Sequence, residues 1–282
     1  MKTSQGCKPC LFKNATSLLD DLVKDDVLKR TLEDKITKYL IDADCSNTPP
    51  VLYNGIIDKI LQNTNTIDPY KDEKVKQNIL ALSLEPYMRE RVEKAEDSFS
   101  EAVKISIAGN SIDLGVYGKS SNKEIKDRID ESLEHELDTK TIESLRFAID
   151  EASNIVFIGD NAGEIVFDKI LIEALDPSKV TYIVRGNPVL NDATLDDAVQ
   201  VGMDKIVKIV DNGSSYPGTV LDKCSKEFIS LFRNADLVIS KGQGNYETLN
   251  ESQKRIFHLF KVKCDVIAEH CDKPVGTLAI ID

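Results

Sequence analysis

Apolar residues in the first half of the chain recur at the three- and four-residue intervals of an amphipathic helix, with charged residues between them. This pattern covers residues 15–39 and resumes after Pro49-Pro50, where prolines suit the first turn of a helix. A longer run over residues 69–98 contains Pro86, which is expected to kink or break it. Shorter helices are predicted at residues 102–108, 122–135 and 140–152, with a loop at residues 111–118.

The pattern changes at Asn154, where short apolar and β-branched runs begin to alternate with helical stretches. Strands are predicted at residues 155–158, 180–184, 206–210, 237–239 and 266–268, with an edge strand at residues 277–281. Short runs bounded by Gly, Asn, Asp or Pro are typical of buried parallel strands. We therefore predict an α/β fold, a three-layer α/β/α domain with a mainly parallel, doubly wound sheet. It would occupy residues 153–282 as the catalytic domain, and residues 1–152 would form an N-terminal helical region.

Composition narrows the functional classes. The 282 residues are 41% hydrophobic and 30% charged, which is ordinary for a soluble globular protein. A formal net charge of −12 argues against nucleic-acid binding, which requires a basic surface. The sequence has neither an apolar run of about 18 residues nor the apolar centre of a secretory signal, so no membrane association is expected. The oligomeric state stays open.

Cysteine and histidine usage limits the kinds of metal site. Six cysteines in a chain too large to need disulfides indicate a reducing, cytoplasmic setting. The three histidines are not at ligand spacing, which argues against a histidine-rich zinc site, and His258 is expected in a helical stretch. Cys7 and Cys10 form a CxxC pair, which is a weak signal. They either bind a structural zinc with Cys45 or a later cysteine, or are two ordinary thiols.

Polar residues follow four of the predicted strands. The clusters cover residues 159–164, 185–192, 211–215 and 240–247. Because the carboxyl ends of parallel strands share one edge of the sheet, where ligands bind, these clusters should converge on one crevice.

The converging residues suit a phosphate ester held by a metal ion. Asp160 and Asn161 are adjacent oxygen ligands, Asp192 adds a second carboxylate, and such a set suits magnesium, manganese or a similar divalent ion. Lys241 would add a compact positive charge. Each residue also has a simpler explanation, since Asp and Asn commonly cap helices and a single lysine is usually at the surface. Because polar clusters follow four strands, we favour a shared metal and phosphate site over these simpler explanations.

These motifs resemble those of the damage-control phosphatases, a family once classed as a domain of unknown function. It also includes a protein described as an acidic-residue methyltransferase. The matching segments are the CxxC pair and residues 109–113, 159–164, 185–192 and 240–245. The resemblance spans nearly the whole chain and is most specific in the α/β half.

The resemblance implies hydrolysis of small phosphorylated metabolites such as sugar phosphates. It also implies manganese, nickel, cobalt or magnesium held by Asp160, Asn161 and Asp192. The expected catalytic residues are Asp160, Asp192, Lys241 and Glu247. The expected substrate-binding residues are Asn110, Asp113, Glu164, Ser214, Asn245 and Lys263.

Two other functions stay open at this stage. An S-adenosylmethionine-dependent carboxyl methyltransferase would need a glycine-rich cofactor loop after the first strand, and residues 159–164 fit that pattern poorly. A non-catalytic phosphometabolite-binding protein could use the same fold. For the hydrolase, the nucleophile is either a metal-bound water or, less favoured, Asp160.

Overall fold

The structure is a computed structural model that describes residues 1–64, 66–112 and 122–282. Most of the loop expected at residues 111–118, including Asp113, lies outside the described residues. The α-helices are α1 (Cys7–Leu22), α2 (Asp26–Asp42), α3 (Pro49–Leu61), α4 (Lys71–Lys94), α5 (Ser98–Ala108), α6 (Asn122–Leu133), α7 (Thr139–Glu151), α8 (Glu164–Ala174), α9 (Leu195–Gln200), α10 (Lys226–Asn234), α11 (Gln243–Leu249) and α12 (Asp265–Cys271). The strands are β1 (Ile155–Ile158), β2 (Val180–Val184), β3 (Lys208–Asp211), β4 (Leu237–Lys241), β5 (Ile256–Lys261) and β6 (Leu278–Ile281).

The six strands form one sheet in the order β3-β2-β1-β4-β5-β6. Strands β1 to β5 are parallel, and β6 runs antiparallel to β5 at the edge. The strand order reverses between β1 and β4, which is the topological switch point of a doubly wound sheet. The predicted α/β fold is confirmed.

Alternate residues of β1 face two different cores, because side chains along a strand point to opposite faces. Ile155 and Phe157 join the core packed by α4 to α9, while Val156 and Ile158 join the core of α10 and α11. All four are buried, so the strand is a continuous apolar run without polar alternation.

Helices α1 to α3 have a hydrophobic core of their own, which Val189 and Leu190 join from the α/β half. Helices α4 to α7, in contrast, contribute to the large core on the sheet. The domain boundary expected after residue 152 stays a prediction. Helices α4 to α7 precede this boundary but pack with the sheet. None of the helices in the described ranges is long and apolar enough to cross a membrane.

Two sequence predictions near the C-terminus are wrong. Residues 266–268 belong to α12, and the fifth strand is β5, which contains His258. Burial lowers the pKa of His258 to about 3, and its Nδ1 lies 3.2 Å from Ser240 Oγ. A three-residue apolar run cannot distinguish a strand from a buried helical turn, and a buried histidine masks the apolar pattern of β5.

Helix ends in the N-terminal part also differ from the predicted ones. Residues 15–39 contain two helices, because the Asp25 carboxylate accepts hydrogen bonds from the amides of Val27 and Leu28 and starts α2. Helix α4 continues through Pro86, so of the predicted kink or break the break does not occur.

Candidate active site

The loop after β1 carries Asp160 and Asn161 to the carboxyl edge of the sheet, beside the switch point. Neither side chain caps the following helix, because α8 begins after Gly163 and has no side-chain cap of that kind. The amide of Gly163, which has a positive φ of 75°, donates to Asn78 Oδ1 of α4 at 2.7 Å instead. Asp160 and Asn161 are therefore not used as helix caps.

Backbone hydrogen bonds join this loop to the loop after β2. The Ala162 amide donates to the Asn191 carbonyl, and the Ala193 amide donates to the Asp160 carbonyl, both at 2.8 Å. Asn161 and Asp192 form an isolated antiparallel bridge between the two loops. The pairing brings Asp160, Asn161 and Asp192 together at one point of the sheet edge.

A buried guanidinium, that of Arg185, lies between the two carboxylates. Arg185 is 1% exposed, and its Nε donates to Asp192 Oδ2 at 2.6 Å. Its Nη2 lies 3.9 Å from Asp160 Oδ1 and donates to Asn245 Oδ1 at 3.1 Å. We did not assign Arg185 from the sequence, although its place directly after β2 was an available signal.

Negative charge is concentrated at this edge. Burial raises the pKa of Asp160 well above its usual value, and the charges of Asp192 and Glu164 raise it further. Burial also raises the pKa of Asp192, against the opposing effect of Arg185. The group as a whole would be stabilised by an added cation.

Lys241, at the end of β4, is fully buried and is therefore not a surface lysine. Its ammonium donates to Asp168 Oδ1 at 2.6 Å, to the Ser106 carbonyl at 2.7 Å and to Glu164 Oε1 at 2.8 Å. Burial lowers its pKa, but Asp168 and Glu164 outweigh that effect and the pKa is raised. An ammonium has three donors, so this geometry does not favour the phosphate contact expected for Lys241.

Glu164 joins Lys241 to two asparagines. Its Oε2 accepts from Asn110 Nδ2 at 2.7 Å and from Asn161 Nδ2 at 3.2 Å. Asn110 comes from the turn after α5, and its Nδ2 also lies 3.3 Å from Asp160 Oδ2. The Oδ1 of Asn110 is buried and has no hydrogen-bond partner among the described residues.

A cavity of about 380 Å³ opens over this group. Asp160, Asn161 and Asp192 line one side of it. Another part of the lining comes from the N-terminal segment, α1 and α3. Of the residues in this part, only the two cysteines had a role predicted from the sequence. Its residues are Gly6, Cys7, Cys10, Leu11, Asn14, Pro49, Pro50 and Tyr53.

Glu247 and Lys263 also line the cavity. Burial raises the pKa of Glu247 to about 7, against the opposing hydrogen bond from Gln243 Nε2 at 3.0 Å. Lys263 is exposed, and its positive charge lowers the pKa values of Asp160 and Glu247. A carboxyl group with a pKa of about 7 and an exposed ammonium group therefore both line the cavity.

Among the described residues, four of those predicted to bind substrate do not line the cavity: Asn110 and Glu164, whose contacts are given above, and Asn245 and Ser214. Asn245 is buried, and its side chain makes hydrogen bonds with Gly159, Lys241, Arg185 and Thr219. Ser214 is buried, and its Oγ accepts from the Tyr216 amide. Both side chains hold loops in place, and their contact with a substrate stays a prediction.

The cysteines do not assemble a metal site in the described part of the chain. Cys7, Cys10 and Cys264 line the cavity, and all six cysteines are free thiols. Among the described residues, no group of three or more His, Cys, Asp or Glu side chains could hold a metal ion. A cation at the sheet edge would therefore need amide oxygens beside the two aspartates.

Comparison with known proteins gives consistent matches over the full chain. Residues 3–278 match the model of the damage-control phosphatase ARMT1-like domain. A damage-control phosphatase from Archaeoglobus fulgidus is 31% identical over 99% of this chain and 98% of the relative. An uncharacterized protein from Methanocaldococcus jannaschii is 32% identical over 98% of this chain and 94% of the relative. The crystal structure of a DUF89 family protein from Pyrococcus horikoshii superposes with a TM-score of 0.89 at 30% identity, covering 100% of this chain and 99% of that one.

Proposed function

Because the chain belongs to the ARMT1-like damage-control phosphatase family, we propose that it is a metal-dependent phosphatase of small phosphorylated metabolites such as sugar phosphates. Family membership supports phosphatase activity on damaged metabolites. One observation carries the rest of the proposal. The paired loops after β1 and β2 gather two carboxylates and an asparagine amide under a cavity at the switch point.

The groups at the sheet edge fit a divalent cation. Asp160 and Asp192 offer carboxylate oxygens, Asn161 an amide oxygen, and magnesium commonly takes one or two carboxylates together with substrate phosphate. The Oδ1 of Asn110 is buried and has no partner in the part of the chain that the structure describes. This supports a ligand next to it, since buried polar atoms normally have partners. We therefore assign the metal to Asp160, Asn161 and Asp192, with manganese, nickel, cobalt or magnesium as the candidate ions.

A cation held there would neutralise the phosphoryl oxygens and position or acidify a water. Glu247, with a pKa of about 7, is suited to accept a proton from the attacking water near neutral pH. Lys263, which also lines the cavity, supplies positive charge for the phosphate group. We favour water over Asp160 as the nucleophile, because Asp160 already accepts hydrogen bonds from the Asn110 and Asn161 amides.

The cavity supports a small substrate. About 380 Å³ is near the lower end of the ~300–1,000 Å³ typical of ligand pockets, which suits a metabolite and not a polymer. The polar atoms that would bind phosphate lie on one side, and the helical wall would contact the remainder of the molecule.

The decisive experiment measures phosphate release from a panel of sugar phosphates and an aryl phosphate. Each of the four metals is tested, with a chelated control. We expect release that depends on added metal and is greatest for small esters. Tight binding of S-adenosylmethionine without phosphate release would favour a methyltransferase. Metal-dependent binding of phosphate esters without turnover would indicate a non-catalytic binding protein.

A further inference from the structure

Glu164 is 1% exposed, and both of its carboxylate oxygens are engaged. Oε1 accepts from the Lys241 ammonium, and Oε2 accepts from the side-chain amides of Asn110 and Asn161. A carboxylate with these three donors has little capacity left for a cation or a substrate. Its role is more readily explained by what it does to the two amides.

A side-chain amide has its two donors on nitrogen and its acceptor on oxygen. When Glu164 Oε2 and Asp160 Oδ2 hold the nitrogen of Asn161, the amide oxygen must point away from these two carboxylate oxygens. The reversed orientation would place Oδ1 against carboxylate oxygens, which have no hydrogen to offer. Glu164 holds the nitrogen of Asn110 in the same way, and the Asn110 Oδ1 is buried with no hydrogen-bond partner in the described ranges.

Lys241 holds Glu164 at the correct place for these contacts. Its position is itself fixed, because it also binds Asp168, which accepts hydrogen bonds from Ser106 Oγ and the Tyr182 hydroxyl, both at 2.7 Å. Lys241 neutralises the buried carboxylates of Glu164 and Asp168, although its positive charge also repels a cation bound nearby. A positioning role accounts for its presence despite that cost.

We infer that Glu164 and Lys241 are positioning residues that fix the amide orientation of Asn161 and Asn110. Each asparagine then presents its carbonyl oxygen to the bound cation or its phosphate. This inference rests on the proposed metal-dependent function, and it adds a second layer of side chains that orients the ligands. It also replaces the direct phosphate contact expected for Lys241 and the substrate contact expected for Glu164.

The test is Mn²⁺ binding to the resting protein, measured by electron paramagnetic resonance without any substrate. We expect Lys241→Met to weaken Mn²⁺ binding by about 10–100-fold, the usual effect of losing a group that orients a metal ligand. If Lys241 only supplied charge to phosphate, removing it would leave Mn²⁺ binding unchanged or make it tighter. Tighter or unchanged binding by a folded Lys241→Met variant overturns the inference.

A matched control separates positioning from general damage to the core. Lys169 is another buried lysine, 6% exposed, and its ammonium binds Glu85 and the Val201 carbonyl, away from the cavity. Lys169→Met should lower the melting temperature without changing the Mn²⁺ affinity. Equal weakening of Mn²⁺ binding in both variants would contradict a specific role for Lys241.

Glu164→Gln provides a second route if Lys241→Met does not fold. A glutamine at this position can donate as well as accept, so it no longer forces one amide orientation, and Mn²⁺ binding should weaken. If both single variants fold, the double variant should bind Mn²⁺ no more weakly than the single variant with the lower Mn²⁺ affinity. The reason is that Lys241 acts on the amides only through Glu164. The inference would be overturned if the two single-variant losses of Mn²⁺ affinity multiplied in the double variant, or if Glu164→Gln bound Mn²⁺ as tightly as wild type.

The proposed function and the positioning role would be contradicted by different results. Wild-type protein that neither binds Mn²⁺ nor releases phosphate with metal would contradict the proposed function. Wild-type protein that does both, with Lys241→Met binding Mn²⁺ more tightly, would contradict only the positioning role.

Discussion

The two sides of the cavity are built differently. The side formed by the α/β half, which we call the floor, consists of Asp160, Asn161 and Asp192. These residues lie on two loops that backbone hydrogen bonds and the Arg185–Asp160 ion pair join. The side formed by the N-terminal segment, α1 and α3, which we call the wall, contains prolines, Leu11 and Tyr53 and belongs to a separate hydrophobic core.

This difference separates two kinds of requirement. The floor must hold like charges close together, so its side chains are held by hydrogen bonds and, for Asp192, by the ion pair with Arg185. Under the proposed function, the wall would contact the part of a substrate that does not react, and packing alone can achieve that. Substitutions in the floor should therefore affect turnover, metal binding and folding together, whereas substitutions in the wall should mainly affect substrate preference.

The largest effect is expected in the floor. Asp160→Ala or Asp192→Ala should reduce phosphate release from an aryl phosphate by more than the ~10²–10³-fold that loss of one hydrogen-bond donor costs, because a metal ligand is removed. Phosphate release and Mn²⁺ binding should be lost together. Retained metal-dependent activity in both variants would contradict the assignment of the floor as the metal site.

Arg185 tests whether the floor depends on internal charge compensation. Arg185→Met leaves Asp192 as a buried carboxylate without its ion-pair partner, which typically costs about 3–5 kcal/mol of unfolding free energy. Urea unfolding at neutral pH measures the loss, and added Mn²⁺ should restore part of it. A loss below about 1 kcal/mol, as for an exposed ion pair, would show that Arg185 is not required by the floor.

The sequence predicted the position of the floor better than the contacts within it. Asp160, Asn161 and Asp192 follow β1 and β2, and the rule that parallel strands end at one edge was enough to bring them together. The pairing of Arg185 with Asp192 and the burial of Lys241 depend on distances that a one-dimensional pattern does not contain.

The wall was not predicted because its residues serve two purposes with the same chemistry. Leu11 and Tyr53 have helical spacing and pack in the core of α1 to α3, so their second role in lining the cavity leaves no separate pattern. For a similar reason β5 was missed, since the buried His258 interrupts its apolar run.

Glu247 lines the cavity but belongs to neither the floor nor the wall, and its pKa predicts how activity depends on pH. If it accepts the proton from water, kcat/KM should rise through about pH 7 and level off above it, since the base must be ionised. Glu247→Gln should lower the rate by about 10²–10⁴-fold and remove this rise. An unchanged pH profile in the variant would exclude Glu247 as the base.

The same group should also affect stability. The pKa of Glu247 is raised from 4.5 to about 7 in the folded protein, so the folded state binds the proton more tightly than the unfolded chain does. Its stabilising contribution is full below pH 4.5 and is lost as the pH rises through about 7. The melting temperature of wild type should therefore fall relative to that of Glu247→Gln across this range. Melting temperatures that changed with pH in the same way for both proteins would contradict the raised pKa.

The smallest effect is expected in the wall, and it tests the comparison most directly. Asn14 is exposed, lies on α1 and lines the cavity, with only a 3.9 Å contact from Nδ2 to Cys10 Sγ. Asn14→Ala should leave the melting temperature and Mn²⁺ affinity unchanged, because no part of the floor rests on it. The KM for a sugar phosphate should change by up to about tenfold, the effect of one hydrogen bond of ~0.5–1.5 kcal/mol, while the KM for an aryl phosphate stays constant. A lower kcat for both substrates would mean that the wall contributes to the reaction itself, and the division between floor and wall would no longer hold.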